Sequence, residues 1–233
     1  EITVSDNKPG VSGYRVSPLI RFKASERNLL MKPDVLRGFL GAEYQEIGAG
    51  NDVFVKCEPD LYPLFLQLKE CRTLFRDSIG AGGDPIYVPT TCRYFVTGAK
   101  RDLERDGKYV FQVKKDYTFC YCLLNSSFPY WYWRMYDGGI TLQHTLVLDL
   151  PIFADMLSEE ENERLEEIAK EMQKEEEKYL IYKKNANKIQ ENIKFPDSYR
   201  KKINKIFIKA LGSPVSAENF EKLYYNEVFK PAV

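Results

Sequence analysis

Seven cations and four aromatic rings share one short stretch of this chain: Arg93, Lys100, Arg101, Arg105, Lys108, Lys114 and Lys115, interleaved with Tyr94, Phe95, Tyr109 and Phe111. Such a string could neutralise phosphates while one or two arginines read guanine edges in a duplex groove. Asp102, Glu104 and Asp106 lie among the same residues, so the cations could equally pair with their own neighbours on a solvated surface. Downstream, both tryptophans of the chain fall in Phe128-Pro129-Tyr130-Trp131-Tyr132-Trp133-Arg134. Those rings exceed what one amphipathic face can hide, so some must meet a second element or a ligand. A ring such as Tyr130 beside Arg134 could stack on a base, although an aromatic helix is more often core than platform.

Other chemistries find less support. The five cysteines, Cys57, Cys71, Cys92, Cys120 and Cys122, form no C-x-x-C pair, and Cys120 and Cys122 on one helix would point to different faces. They read as buried, reduced thiols, without a disulfide framework or a zinc ribbon. The lone His144 cannot complete a two-histidine metal site. Gly80-Ala81-Gly82-Gly83 and Gly48-Ala49-Gly50 continue into neither G-K-[ST] nor G-x-G-x-x-G and read as flexible loops. Asp106 with Gln112-Val113-Lys114 loosely approximates the acids and lysine of a magnesium-dependent nuclease, with Gln where an acid is usual. No G-x-S-x-G elbow marks an activated serine.

The elements that would position these residues divide the chain. Through residue 157, runs such as Pro85-Ile86-Tyr87-Val88, Tyr94-Phe95-Val96-Thr97 and Tyr109-Val110-Phe111-Gln112-Val113 read as strands, and so does Asp52-Val53-Phe54-Val55. Helices fit 25–40 and 62–75, and Asp116 fits as N-cap of a helix through Leu124, with Pro129 opening another that ends at Asp137-Gly138-Gly139. Beyond residue 157 the charge polarises. Residues 159–177 hold ten Glu against Arg164, Lys170 and Lys174, a net of −7, whereas residues 178–209 hold ten Lys and Arg against Glu191 and Asp197, a net of +8. The whole-chain balance of 34 basic and 34 acidic residues hides this, and leaves local polyanion binding open. Ser158-Glu159-Glu160-Glu161 matches a capping box. From it, apolar residues at three-four spacing through Ile193 predict one helix over about 158–193, roughly 50 Å long. Two more helices are expected at 198–211 and 216–229.

Leu123-Leu124-Asn125-Ser126-Ser127-Phe128-Pro129-Tyr130-Trp131-Tyr132-Trp133-Arg134-Met135-Tyr136-Asp137-Gly138-Gly139 resembles the C-terminal target-recognition region of type II restriction-modification adenine-specific DNA methyltransferases, including those fused to an endonuclease. The strand Arg93-Tyr94-Phe95-Val96-Thr97 with its basic connection, and Ile140-Thr141-Leu142 leading to Asp149-Leu150-Pro151, agree with the resemblance, which covers about residues 14–152. Membership implies docking on duplex DNA and choosing the sequence to be methylated. The family's catalytic domain carries a glycine-containing S-adenosylmethionine site and an Asn-Pro-Pro-Tyr-type tetrapeptide, and this chain has neither. No cofactor is therefore expected in this chain, and S-adenosylmethionine would serve a catalytic methyltransferase domain acting in cis or in trans.

The expectation is an α+β protein: a mixed strand and helix recognition domain over 1–157, then an all-helical section over 158–233 with a long charged helix. DNA contacts are expected from Arg93, Lys100, Arg101, Arg105, Lys114, Lys115, Tyr130 and Arg134. The rivals are an interaction subunit that pairs through the long helix, and the magnesium-dependent nuclease. No run of eighteen apolar residues and no secretory leader are seen, which points to a cytoplasmic protein without a membrane partner. The opening Glu1-Ile2-Thr3-Val4 lacks an initiator Met and suggests a piece of something longer.

Overall fold

A pleated strand buries every second side chain, and this rule builds the largest of three two-stranded antiparallel sheets in this α+β protein. The computed structural model describes residues 59–92, 95–136, 140–185 and 188–221, with 25, 27–30, 32–34 and 57 besides. The expected strand at 52–55, and half of the expected helix at 25–40, lie outside them.

Helix α1 (Tyr62–Glu70) buries Leu64, Phe65 and Leu68 and has a proline in its first turn. It is shorter than the predicted 62–75, because Cys71 turns extended and Thr73–Leu74 forms strand β1. Strand β2 (Ile79–Pro89) pairs with β3 (Lys108–Val113), Ile86 opposite Phe111 and Val88 opposite Tyr109. Phe111 and Val113 point inward while Val110 and Gln112 face water. Val113 opposes both Ile79 and Asp84. At this bulge Gly83 lies so close that an added Cβ would sit 2.4 Å from the Val113 carbonyl carbon. The Gly80–Gly83 run, read as a flexible loop, is therefore part of β2.

Helix α2 (Tyr117–Leu124) buries every residue from Phe119 to Leu124, as a helix apolar all round should at the centre of a core. Asp116 stands at its N-terminus with left-handed backbone and no side-chain cap. Helix α3 (Phe128–Tyr136) then buries Phe128, Tyr130, Trp131, Trp133 and Met135. The short helix α4 (His144–Leu148) leads to strand β4 (Pro151–Ile152), which pairs antiparallel with β1. Helix α5 (Glu159–Glu175) starts at Ser158 with a formed capping box and buries Leu165, Ile168, Ala169 and Met172.

The predicted 158–193 helix ends at Glu175. A 3₁₀ turn (Glu176–Tyr179) follows, and then strands β5 (Leu180–Asn185) and β6 (Lys188–Ile193) form a six-pair hairpin. Two forces oppose continuation. Three consecutive glutamates, Glu175 to Glu177, would crowd the negative end of the helix dipole. Beyond them, Leu180-Ile181-Tyr182 and Ile189 suit a pleated surface better than a helix. The section after 157 is thus helical with one hairpin. Helix α6 (Asp197–Ala210) buries Ile203, Ile206 and Phe207, and α7 (Ala217–Glu221) is the described part of the predicted 216–229 helix.

One hydrophobic cluster runs from Cys57 to Phe220 and takes residues from both sides of position 157. The crowded rings of α3 find protein partners there. Phe128 lies 4.8 Å from Phe220 and 5.9 Å from both Phe153 and Phe207, and Trp131 meets Phe220 edge-on at 5.3 Å. Other elements of the same chain thus pack against this aromatic set. Among the described residues no helix is long and apolar enough to cross a membrane.

The start of α5 gives a stability test. The Ser158 backbone N–H, accepted by the Glu161 carboxylate at 3.0 Å, holds that carboxyl below the usual range, with desolvation opposing and Lys209 adding. A depressed folded value stabilises the fold above the unfolded value of about 4.3, and the contribution is lost as pH falls through the folded one. Ser158→Ala should lower unfolding free energy by about 1 kcal/mol at neutral pH. Urea melts should also show that Glu161→Gln flattens the loss of stability below about pH 4.3.

Candidate nucleic-acid interface

The connection between β2 and β3 carries most of the cationic string, and it is fastened at nearly every second residue. The Asn125 side chain brackets Gly98, accepting its N–H at 3.2 Å and donating to its carbonyl at 2.9 Å. Ala99 exchanges both backbone bonds with Tyr87 at 2.8 and 2.9 Å. Lys100 and Arg101 donate their backbone N–H groups to the two oxygens of Glu176, at 2.7 and 3.0 Å. Tyr121 donates its hydroxyl to the same carboxylate at 2.9 Å. Burial, then the Glu176 charge, keeps that phenol protonated far above its ordinary range. Glu104 gives its N–H to Glu191 Oε2 at 2.9 Å, and its carbonyl accepts the Glu191 N–H at 3.0 Å, so the connection docks along β6.

These fastenings sort the expected DNA-contacting residues. Arg105 is buried and clamps the hairpin to the body. Its guanidinium donates to the Gly107 carbonyl at 2.9 Å, to Thr91 Oγ1 at 2.9 Å, to Asn192 Oδ1 and to the Glu191 carbonyl. Arg101 reaches Glu191 at 3.4 Å and Glu177 at 3.9 Å. Both are engaged within the protein, because carboxylates and carbonyls 75 or more positions away return to them. The local acids act as well: Lys108 pairs with Asp102, and Asp106 pairs with Lys188 at 2.8 Å. That bond holds the Asp106 carboxyl below its ordinary range.

Lys100, Lys114 and Lys115 are exposed and have no carboxylate within ion-pair distance among the described residues. The last two follow β3 with their backbone N–H groups on the Ser78 carbonyl, at 2.8 and 3.2 Å. Tyr130 is buried, and the Arg134 guanidinium lies 5.6 Å from its ring and 4.0 Å from that of Trp133. Stacking Tyr130 on a base would require unpacking α3. Arg93 lies outside the described residues, with Tyr94. Phe95 to Thr97, expected in a strand, belong to the irregular connection.

The Leu-Asn-Ser-Ser succession is scaffold. Asn125 holds the Gly98 loop, and Ser127 sits in a buried network at the head of α3. The Ser127 N–H donates to Asn204 Oδ1 at 2.9 Å, Asn204 donates to Ser127 Oγ at 2.6 Å, and Arg200 ion-pairs with Glu221 at 3.0 Å. The residues that best carry the family resemblance therefore align α2, α3, α6 and α7.

The basic stretch after residue 177, expected on helices alone, lies on the β5–β6 hairpin and α6. Of the ten cations between 178 and 209, Lys178, Lys188, Arg200 and Lys209 have carboxylate partners. Lys183, Lys184, Lys194, Lys201, Lys202 and Lys205 are exposed without one among the described residues. The two acids of the stretch are spent internally, Glu191 on the 101–104 backbone and side chains and Asp197 on Arg200 at 2.8 Å. The sequence carried a turn signal there, Asn185-Ala186-Asn187, after Leu180-Ile181-Tyr182.

Other candidates lose ground. Asp106 and Lys114 flank opposite ends of β3, whose six residues separate them by about 20 Å, too far for one nuclease centre. The apolar face of α5 is buried in the protein's own core, so it offers no seam to a partner helix. All five cysteines are free thiols, and burial pushes Cys92 and Cys120 up to about 12. Among the described residues no group of three or more His, Cys, Asp and Glu could hold a metal ion. An open cleft of about 560 Å³ between α2 and α5 is lined by Asp116, Asp155 and Glu166, a poor host for phosphate. Comparison with family models, curated proteins and solved structures returns no significant match to this chain.

Glu176 is the fastening most open to test. In Glu176→Gln one side-chain oxygen becomes a donor facing a backbone N–H, which leaves a buried donor unsatisfied at about 1–3 kcal/mol. Urea unfolding should register that loss, and amide exchange of Lys100 and Arg101 should accelerate. Unchanged exchange at these two amides would remove Glu176 as the anchor.

Proposed function

We propose that this chain docks on duplex DNA as the target-recognition module of an adenine-specific methyltransferase of the restriction-modification type. The methyl-transfer pocket and its S-adenosylmethionine would belong to a catalytic domain that acts with it in cis or in trans. The observation that carries the reading is the six exposed lysines between 183 and 205 without carboxylate partners among the described residues, in a stretch whose two acids are both consumed internally. Polyanion binding draws on such cations, because each phosphate neutralised releases condensed counterions. Lys100, Lys114 and Lys115 would extend the same surface. Arg101, Arg105 and Tyr130 drop out as direct contacts and become the framework that holds it.

The resemblance around Asn125 to Tyr136 supports the choice of partner, since it is to proteins that dock on duplexes. The carboxylates of α5 limit the approach: Glu159, Glu160, Glu163, Glu166, Glu167 and Glu171 are exposed and would repel phosphates. The DNA would therefore be met by the hairpin and α6 sides of the molecule.

Anisotropy titrations of the chain against a fluorescent duplex of about 25 base pairs test the reading. With six phosphates engaged, log K should fall against log salt with a slope near −5, so affinity drops by about three orders of magnitude between 50 and 200 mM. Absence of binding, or a flat salt response, would refute it.

A further inference from the structure

Within the duplex-binding reading, on which it rests, we propose that one backbone phosphate of the DNA seats in a small pocket at the N-terminus of α6, held by Thr97, Lys194 and the first N–H groups of the helix. The pocket's lining includes Val96 and Thr97 of the β2–β3 connection, Asn125 after α2, and Lys194, Asp197 and Arg200 where β6 passes into α6. Its donors are unspent. Thr97 is only 5% exposed, yet its hydroxyl has no hydrogen-bond partner among the described residues. The backbone of Val96 and Thr97, also buried, makes no hydrogen bond among them either. Buried polar groups are almost always paired, and where the protein supplies no partner an occupant of the site does. No side chain caps α6, and the Asp197 and Ser198 N–H groups, two of the four orphan donors of a helix start, have no partner among the described residues. The positive end of the helix dipole falls at the same place.

Charge and size choose the ligand. The lining carries two cations against one acid. Lys194 is exposed without a carboxylate partner among the described residues, while the Asp197 carboxylate is occupied by Arg200 at 2.8 Å. Arg200 also bonds Glu221 at 3.0 Å and so stays in the wall. The pocket holds about 30 Å³, room for roughly two water-sized groups at about 10–15 Å³ each. The two non-bridging oxygens of one phosphodiester match that room, whereas free orthophosphate brings four oxygens. A phosphate contact carries no base information, but it fixes the register and orientation of a protein on the duplex. The donors suit that task because they are held in place. Asn125 brackets Gly98, the residue after Thr97, and the Lys194 N–H is bonded to the Tyr179 carbonyl at 3.0 Å.

The test compares the full chain with Thr97→Val, which removes the hydroxyl at nearly constant shape, with Thr97→Ser, which restores it, and with Lys194→Gln. Thermal melts check that each variant is folded. Against the same fluorescent duplex, Thr97→Val should lose about tenfold in affinity with an unchanged salt slope, since it removes a hydrogen bond to a charged group and no charge. Thr97→Ser should recover most of that affinity, and Lys194→Gln should make the slope shallower by about 1. In heteronuclear NMR titrations the Asp197 and Ser198 amides should shift on adding duplex, and inorganic phosphate at the same phosphate concentration should leave them in place. Full affinity in Thr97→Val, or amides at 197 and 198 that stay still when duplex binds, would overturn the pocket and leave the duplex-docking reading standing. Equal shifts with inorganic phosphate would assign the pocket to the free ion and overturn it as a DNA contact. No duplex binding by the unaltered chain would overturn both.

Discussion

The carboxylate of Glu176 is the constraint on which this arrangement turns. It is buried at the junction of α5 and the hairpin, and accepts hydrogen bonds from the backbone of Lys100 and Arg101 and from the Tyr121 hydroxyl. Three elements distant in sequence thus meet at one anion: the β2–β3 connection, the central helix α2 and the end of α5. A buried charge is tolerated only when its lone pairs are satisfied, so the geometry of all three elements is tied to that satisfaction. It also fixes where α5 must stop, since the chain has to turn for Glu176 to point inward. The hairpin therefore leaves the body at a set place, and the 99–107 segment is laid along β6.

Much of the fold follows from local pattern. The alternation in Tyr109 to Val113, the capping box at Ser158, the apolar length of α2 and the proline entry to α3 each determine an element that no tertiary contact overrides. The helix expected through residue 193 shows where pattern fails. Tyr182, Ile189 and Ile193 recur at intervals of seven and four, which fit a helical face. A four-residue step is also twice the strand period, so Ile189 and Ile193 fall on one face of β6 just as well. Periodicity could not separate the two, whereas the glutamate run at the helix end and the turn-favouring asparagines Asn185 and Asn187 in the sequence could.

The candidate site was legible in sign but not in assignment. Charge and spacing located a cationic connection and a basic stretch near the C-terminus. They could not tell that Arg101 and Arg105 would be engaged by residues of β6, because such partners are specified only when the hairpin folds back on the loop. The local acids, by contrast, were visible as competitors, and Asp102 does capture Lys108, whereas Asp106 pairs with Lys188 of the hairpin. Arginine suits the internal clamps: its planar fork serves several acceptors at once, as Arg105 does. Lys100, Lys114 and Lys115, each a hydrated point charge on a flexible stem, are left at the surface.

Arginine inside and lysine outside imply a division between the groups that shape the surface and those that would bind through it. Were all seven cations of the string left in solvent, the connection would keep its backbone and Asn125 fastenings but lose the side-chain bonds of Arg101 and Arg105 to β6. Drawing two of them into bonds with Glu191 and its strand removes charge from the surface but makes the hairpin and the connection one rigid unit. Rigidity matters more than charge for choosing among sequences, because nonspecific attraction to phosphate is nearly equal for every site, whereas base-edge contacts must be held in place to discriminate. The aromatic succession in α3 is likewise part of the framework. Packed against Phe153, Phe207 and Phe220, it sets the orientation of α2, whose Tyr121 completes the coordination of Glu176.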